Sequence, residues 1–443
     1  MTVHSYPTPS HRSAVILLGG LVATWNHRFL HAAARRGLEV LLLDGPASGI
    51  DALHERGLRS GPPHPLARIA GHAVHAADDS AGVLEACLAW ARDFDVRGVC
   101  CLREEYVDSA GLLTDLLGLP SPGLRASRVC RNKYLQRRYL GLWSPASELV
   151  GPRDRLARAR TWNRFPAVVK PVGRLASSGV RLVLTGGELL ACLDDYSPTE
   201  VLQFEERIVG PEFSVESLSR DGVALYAEVT EKRTTEGDSP YFVELGHTTP
   251  AVHLSEASRA SLLATHAAVL ERLQFGTGIA HGEYRITGGG RVVLTEVAVR
   301  PPGDSIMALH WLATGFALED AVLGLALGED VAPPASARRY ARQVYLAHHP
   351  GVLTAVEVDA SVGMDLTWFD IAEVRDQIVS GSADADPPSL RCLLGLKPVG
   401  TPLGPLRESA DRAAMFVVDA PTPDELDAIE DSVRRGTRLR VMT

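Results

Sequence analysis

Two glutamates, Glu283 and Glu296, flank a glycine-rich turn in the segment HGEYRITGGGRVVLTEVAVRPPGD, residues 281–304. Both arms have strand composition, and a hairpin turning at Gly289-Gly290 sets the two carboxylates directly opposite each other. Opposed side chains on one sheet face have Cβ atoms about 4.5 to 5.5 Å apart, and like charges at that spacing repel unless a cation neutralises them. A hard divalent ion that prefers oxygen ligands, Mg2+, is the expected tenant. Strand alternation then gathers His281, Glu283, Glu296, Ala298 and Arg300 around one spot. A solvated edge hairpin is the competing reading of the same residues.

Cations that suit phosphate lie elsewhere in the chain. Of its 45 basic residues only four are lysines: Lys133, Lys170, Lys232 and Lys397. A lysine kept against such a drift toward arginine suits a narrow cleft, where a compact ammonium reaches a phosphate; chance survival on the surface is the alternative. Lys170 stands on a strand that runs into a Gly/Ser loop, FPAVVKPVGRLASSGVRLV, residues 165–183. The loop amides and the Ser177 and Ser178 hydroxyls are donors for an anion, and glycine permits close approach, although an ordinary hairpin has the same composition.

The elements around these residues begin with a βαβ unit: strand 14–18, a helix from about Trp25 to Arg36, and strand Leu38 to Leu43. Helix 81–92, strand 96–102 and helix 107–117 continue it, so the first lobe reads as doubly wound. Glu104 and Glu105 fall at the carboxyl end of a strand, where such sheets bind ligands; the helix dipole equally favours acids at that position. A basic helix is expected over Arg125 to Leu140, strand-like halves flank Gly210-Pro211, and VAPPAS, 331–336, reads as a linker before a mixed α/β remainder.

Composition narrows the function classes. The 443 residues are 45% hydrophobic, enough for a large core divided among several lobes. A formal charge of -9 disfavours nucleic acid or an anionic membrane as the main partner. No apolar run reaches the roughly 18 residues of a membrane span, the start does not read as a signal peptide, and a cytoplasmic enzyme is expected. The six cysteines are scattered and read as reduced core thiols, and the histidines show no zinc spacing.

Taken in order, the basic-helix lysine, the strand lysine with its Gly/Ser loop, the Glu-rich strand ending in GPE and the paired carboxylates resemble the ATP-grasp superfamily. The resemblance implies an α/β (α+β multi-lobe) ATP-grasp fold. Its parts are an N-terminal Rossmann-like doubly wound lobe (1–120), a nucleotide-binding region (121–330) with a central lid subdomain at about 147–202, and a C-terminal α+β lobe (331–443). It implies ATP contacts at Lys133, Lys170, Ser177 and Ser178, an adenine hinge at Glu205, Glu206 and Ile208, and a ribose acid at Glu212. Most members carry Asp where Asn132 stands. Glu283 and Glu296 match the magnesium carboxylates, one or two ions being expected, with Mn2+ as a substitute.

The family's usual E-x-N-x-R reads here Glu296-Val297-Ala298-Val299-Arg300, a form similar to the bacterial L-amino acid ligases that make dipeptides, often for peptide antibiotics. Ala298 offers no metal ligand. Within that group the resemblance extends to Glu104, Glu244, His247 and His281. It implies a carboxylate-amine ligase in which Arg300 and His281 face the acyl phosphate and Glu244 or His247 accepts the amine proton. Glu104, Arg300, Gly303 and Asp304 would meet the amino acid or peptide substrate. A homodimer accords with the resemblance. A carboxylase, a ligase for a non-amino-acid carboxylate, and a non-catalytic nucleotide-binding protein are the alternatives.

Overall fold

The computed structural model describes residues 12–60, 65–333, 336–369 and 383–442. Strands Arg12–Leu18, Glu39–Asp44, Ile69–Val74 and Phe94–Cys101 form a parallel sheet in which the first strand lies between the second and the fourth. Ala14 to Leu18 are buried on both faces, the environment of a parallel strand sandwiched by helices. Each such Val, Leu or Ile contributes about 1.5–3 kcal/mol by leaving water. The helix expected from Trp25 to Arg36 is instead two pieces, Leu21–Trp25 and Arg28–Arg35, because the backbone leaves helical geometry at Asn26.

The basic segment also breaks, into Leu124–Cys130 and Lys133–Tyr139, rather than forming one helix. Asn132 is extended and its side chain accepts from the Leu135 amide at 3.1 Å. That N-cap starts the second helix and puts Lys133 at its first position. The break therefore aims the lysine.

Four antiparallel strands make a small separate sheet over the segment expected to form a lid, and keep that label below: Ser147–Val150, Leu202–Glu206, Ala167–Pro171 and Arg181–Val183, in that spatial order. Leu202 and Phe204 pack with Val150, Val169 and Leu189 in the lid's own core. The next strand, Glu212–Arg220, enters a different, nine-stranded sheet, so Gly210-Pro211 is a hinge between two sheets. Gly210 has φ +148°, and a Cβ there would overlap the Ile286 carbonyl. Only glycine lets the hinge lie this close to the carboxylate hairpin.

The large sheet runs Val292–Ala298, Gly278–Ile286, Glu212–Arg220, Val223–Thr234, Glu244–Thr249, Tyr340–Tyr345, Ala414–Ala420, Ser389–Gly395 and Thr367–Trp368. Chain beyond the expected linker, whose Pro334 and Ala335 lie outside the described residues, thus extends the sheet that carries Glu283 and Glu296. One face of its central strands packs Phe213, Val215, Val229, Tyr284 and Val297 against helix Glu256–Leu273. Alternation turns the polar residues to the other face. All six cysteines are free. Among the described residues no single helix is long and apolar enough to cross a membrane.

Candidate active site

The hairpin pairs Ile286 with Val292, Arg285 with Val293 and Tyr284 with Leu294, and the register then shifts so that Glu283 faces Glu296. The turn, closed by the Gly290 amide on the Thr287 carbonyl at 2.8 Å, would by itself put Glu283 opposite Thr295. A bulge at Thr295 corrects the register by one residue. The carboxylates face each other as expected, but through the bulge and not through the turn alone; bulges re-aim side chains in this way beside functional sites.

Both glutamates line a cavity of about 520 Å³ between the lid, the large sheet, the first lobe and the C-terminal lobe. Lys133 Nζ donates to Glu296 Oε1 at 3.2 Å and to the Arg174 carbonyl in the lid loop at 2.9 Å. Lys170 Nζ lies 2.6 Å from Glu205 Oε2, and Arg137 Nε donates to Glu205 Oε1 at 2.6 Å. Burial alone raises the Glu205 pKa, but Arg137 and Lys170 outweigh it and hold the carboxyl at about 2. Burial moves Lys170 the opposite way, below its ordinary value. The Glu205 side chain thus turns inward and anchors Lys170, while Glu206, Arg207 and Ile208 line the cavity beyond it.

In the lid loop, Ala176 and Ser177 both have positive φ, 54° and 58°. Non-glycine residues held there cost about 1–3 kcal/mol each, so contacts elsewhere must fix them. Those contacts come from outside the lid. The Ser409 amide donates to the Ala176 carbonyl at 3.3 Å, and Ser177 Oγ donates to Glu244 Oε1 at 3.4 Å. Glu244 Oε2 accepts from Ser409 Oγ at 2.9 Å. Ser178 also lines the cavity.

On the sheet face, Glu283 Oε1 receives both Lys232 Nζ and His281 Nε2, the latter at 3.3 Å. His281 Nδ1 lies 2.8 Å from Glu216 Oε1. Burial lowers the His281 pKa, but Glu216 and Glu283 overcome that and push it up to about 9. The ring is therefore an imidazolium at neutral pH and donates from both nitrogens. Glu212 Oε2 accepts from Arg285 Nη2 at 2.6 Å.

Where the first lobe meets the sheet, Arg300 Nε donates to buried Glu104 Oε2 at 2.8 Å. The neighbouring Glu105 pairs with Arg103 at 2.7 Å. Asp304, φ 54°, accepts from Tyr345 Oη at 2.8 Å and from Arg412 Nη2 and Nη1 at 2.9 and 3.1 Å. His247 Nε2 lies 2.8 Å from its Oδ2, and His247 Nδ1 is buried without a hydrogen-bond partner among the described residues. Burial works against ionisation of Asp304, yet Arg412 and His247 hold it well below the usual carboxylate range. Gly303 lines the cavity beside it.

A family model described as an ATP-grasp domain matches residues 163–308. The chain carries an ATP-grasp domain. The matched stretch contains Lys170, the lid loop, the hinge and both opposed glutamates. Solved structures that share the fold include the L-amino acid ligase from Bacillus licheniformis, at 18% identity and TM-score 0.72, covering 98% of this chain and 100% of that one. A carboxyaminoimidazole ribonucleotide synthase from Aspergillus clavatus, complexed with ATP, has 16% identity, TM-score 0.65 and coverage of 96% and 99%. The biotin carboxylase domain dimer of the Hydrogenobacter thermophilus 2-oxoglutarate carboxylase, in complex with MgADP, ADP and bicarbonate, has 11% identity, TM-score 0.62 and coverage of 97% and 91%. No curated protein sequence matches the chain. The ATP-grasp fold expected from the motifs is the fold found.

All the residues singled out in the sequence for this ATP-grasp domain line the one cavity. Sequence reading missed Lys232 as part of the site, although its rarity marked it; it also missed Arg285, Glu216, Ser409 and Arg412. Lys232 pairs in register with Glu212 across neighbouring strands, a relation that needs the sheet order. Among the described residues no three His, Cys, Asp or Glu side chains form a metal cage. A carboxylate pair suits Mg2+ nonetheless, because that ion keeps waters and shares carboxylates with substrate phosphates.

Proposed function

We propose that this chain is an ATP-dependent, ADP-forming carboxylate-amine ligase. It activates the carboxylate of an amino acid or related acid as an acyl phosphate and joins it to the amine of a second amino acid or peptide, in peptide natural-product biosynthesis. The observation that carries the reading is the opposed pair Glu283 and Glu296 facing one cavity with Lys133, Lys170 and the Arg300–Glu104 couple. The likeness to the Bacillus licheniformis L-amino acid ligase over nearly the whole of both chains supports the amine acceptor.

Glu283 and Glu296 would hold Mg2+, or Mn2+ in its place, and the ion supplies charge neutralisation for the ATP phosphates. Lys133 and Lys170 bind phosphate oxygens, and the loop at Ser177 and Ser178 covers them and excludes water. The main chain at Glu206 to Ile208 holds adenine, and Glu212 faces the ribose. Glu104 and Arg300 carry charges opposite to those of an amino acid's ammonium and carboxylate, and read the zwitterion as a pair.

Positioned this way, a substrate carboxylate oxygen attacks the γ-phosphorus, the bond to the β–γ bridging oxygen breaks, and ADP leaves. Arg300 and the His281 imidazolium stabilise the charge on the acyl phosphate and on the tetrahedral species that follows. The acceptor amine attacks the carbonyl carbon, and the carbon–oxygen bond to phosphate breaks. The amine proton passes to His247, whose ring Asp304 orients through Nε2. Glu244, engaged by Ser177, Ser409 and Lys232, holds the lid instead.

The test is ADP and phosphate release by the purified protein with ATP and Mg2+, against single amino acids and pairs, with mass spectrometry of each product. ADP together with a condensed dipeptide mass is the expected result. Turnover that requires bicarbonate and yields a carboxylated product would replace the ligase with a carboxylase.

A further inference from the structure

We infer that Lys232 is a positioning residue for metal and nucleotide, an internal cation that holds Glu283, Glu212 and Glu244 in one tripod. The inference rests on the functional reading above. The Lys232 side chain is 2% exposed, and its Nζ faces Glu283 Oε1, Glu212 Oε1 at 3.0 Å and Glu244 Oε1 at 3.6 Å. These carboxylates come from three different strands, Gly278–Ile286, Glu212–Arg220 and Glu244–Thr249. An ammonium has donors and no acceptor; Glu283 and Glu212 lie within hydrogen-bond distance of it, and Glu244 completes the set as an ion pair.

Burying a cation costs several kcal/mol unless its partners are well placed. The chain meets that need with arginine at Arg137, Arg285 and Arg412, and a planar guanidinium suits bidentate pairs. One nitrogen directed at three carboxylates is a geometry that only lysine supplies. Its consequence falls on Glu283. Lys232 and His281 both occupy Oε1, and Oε2 makes no hydrogen bond among the described residues, which leaves that oxygen to the metal. Lys232 also ties the metal acid to the acid facing the ribose and to Glu244, which fastens the lid loop. Without the ammonium, three acids stand together with too little positive charge, a cluster that attracts a divalent ion by itself and repels the phosphates of a nucleotide.

Two affinities of the whole chain test this: MgADP by calorimetry and Mn2+ alone by electron paramagnetic resonance. In Lys232→Met, MgADP is expected to bind about tenfold more weakly, and Mn2+ alone about tenfold more tightly, than in the wild type. Lys232→Arg keeps the charge, so Mn2+ alone should bind as weakly as in the wild type, with a smaller loss of MgADP affinity. A lysine that only supports folding moves both affinities in one direction or moves neither, and that result overturns the inference. If Lys232→Met does not fold, Lys232→Met/Glu244→Gln has one carboxylate fewer and should show the same opposite shifts. A wild-type chain that binds no MgADP overturns the nucleotide reading itself; normal wild-type binding without opposite shifts in the variants overturns the role of Lys232 alone.

Discussion

Glu296 and Asp304 lie in the same cavity and are held in different ways. The Glu296 side chain is 32% exposed and, among the described residues, has one ion-pair partner, Lys133. Asp304 is 19% exposed and is engaged by His247, Tyr345 and both terminal nitrogens of Arg412. A carboxylate with one long, flexible partner can exchange it for a metal. One locked by three side chains from separate segments fixes the positions of those side chains. Between these two acids, the number of partners sets apart the one proposed to meet metal from the one that braces the cavity, a distinction residue type alone does not make.

The largest effect expected from this contrast is at Glu296. Glu296→Ala should lower ATP turnover by about 10³-fold, the loss of several kcal/mol of charge stabilisation, while the thermal midpoint stays near that of the wild type. Retained turnover removes the metal assignment. At Asp304 the balance reverses: Asp304→Asn leaves the buried Arg412 without its counter-charge and should cost on the order of 3 kcal/mol of stability. A melting curve matching the wild type would erase the distinction between the two acids.

The smallest effect concerns pH. His281 is pushed up to about 9 in the folded chain from an ordinary 6.5, so folding favours its protonated form. That stabilisation is fully present below about pH 6.5 and is lost as pH rises through about 9. In metal-free protein the thermal midpoint should fall over that window, and His281→Gln should flatten the fall. An unchanged slope in the variant assigns the pH dependence to other groups.

The carboxylate hairpin was legible because strand alternation and a glycine turn are local signals; only the bulge at Thr295, which completes the register, leaves no mark in the composition. The split of the basic segment at Asn132 was hidden because helix-forming residues flank an asparagine that caps just as well as it interrupts. Ser409 and Arg412 were out of reach for a different reason. They meet Glu244 and Asp304 across more than 100 residues of chain, and nothing in their own neighbourhood announces a site. Lys232 falls between these cases: scarcity pointed to it, and the sheet order supplied its partners.

In the proposed mechanism a carboxylate is activated by phosphoryl transfer before it meets an amine. The most direct measurement uses the amino acid that sustains turnover, labelled with ¹⁸O in both carboxylate oxygens, and weighs the inorganic phosphate released. Passage through an acyl phosphate leaves one ¹⁸O in that phosphate and one in the new amide. ADP formed together with unlabelled phosphate would mean that water takes the γ-phosphoryl group and that no acyl phosphate forms.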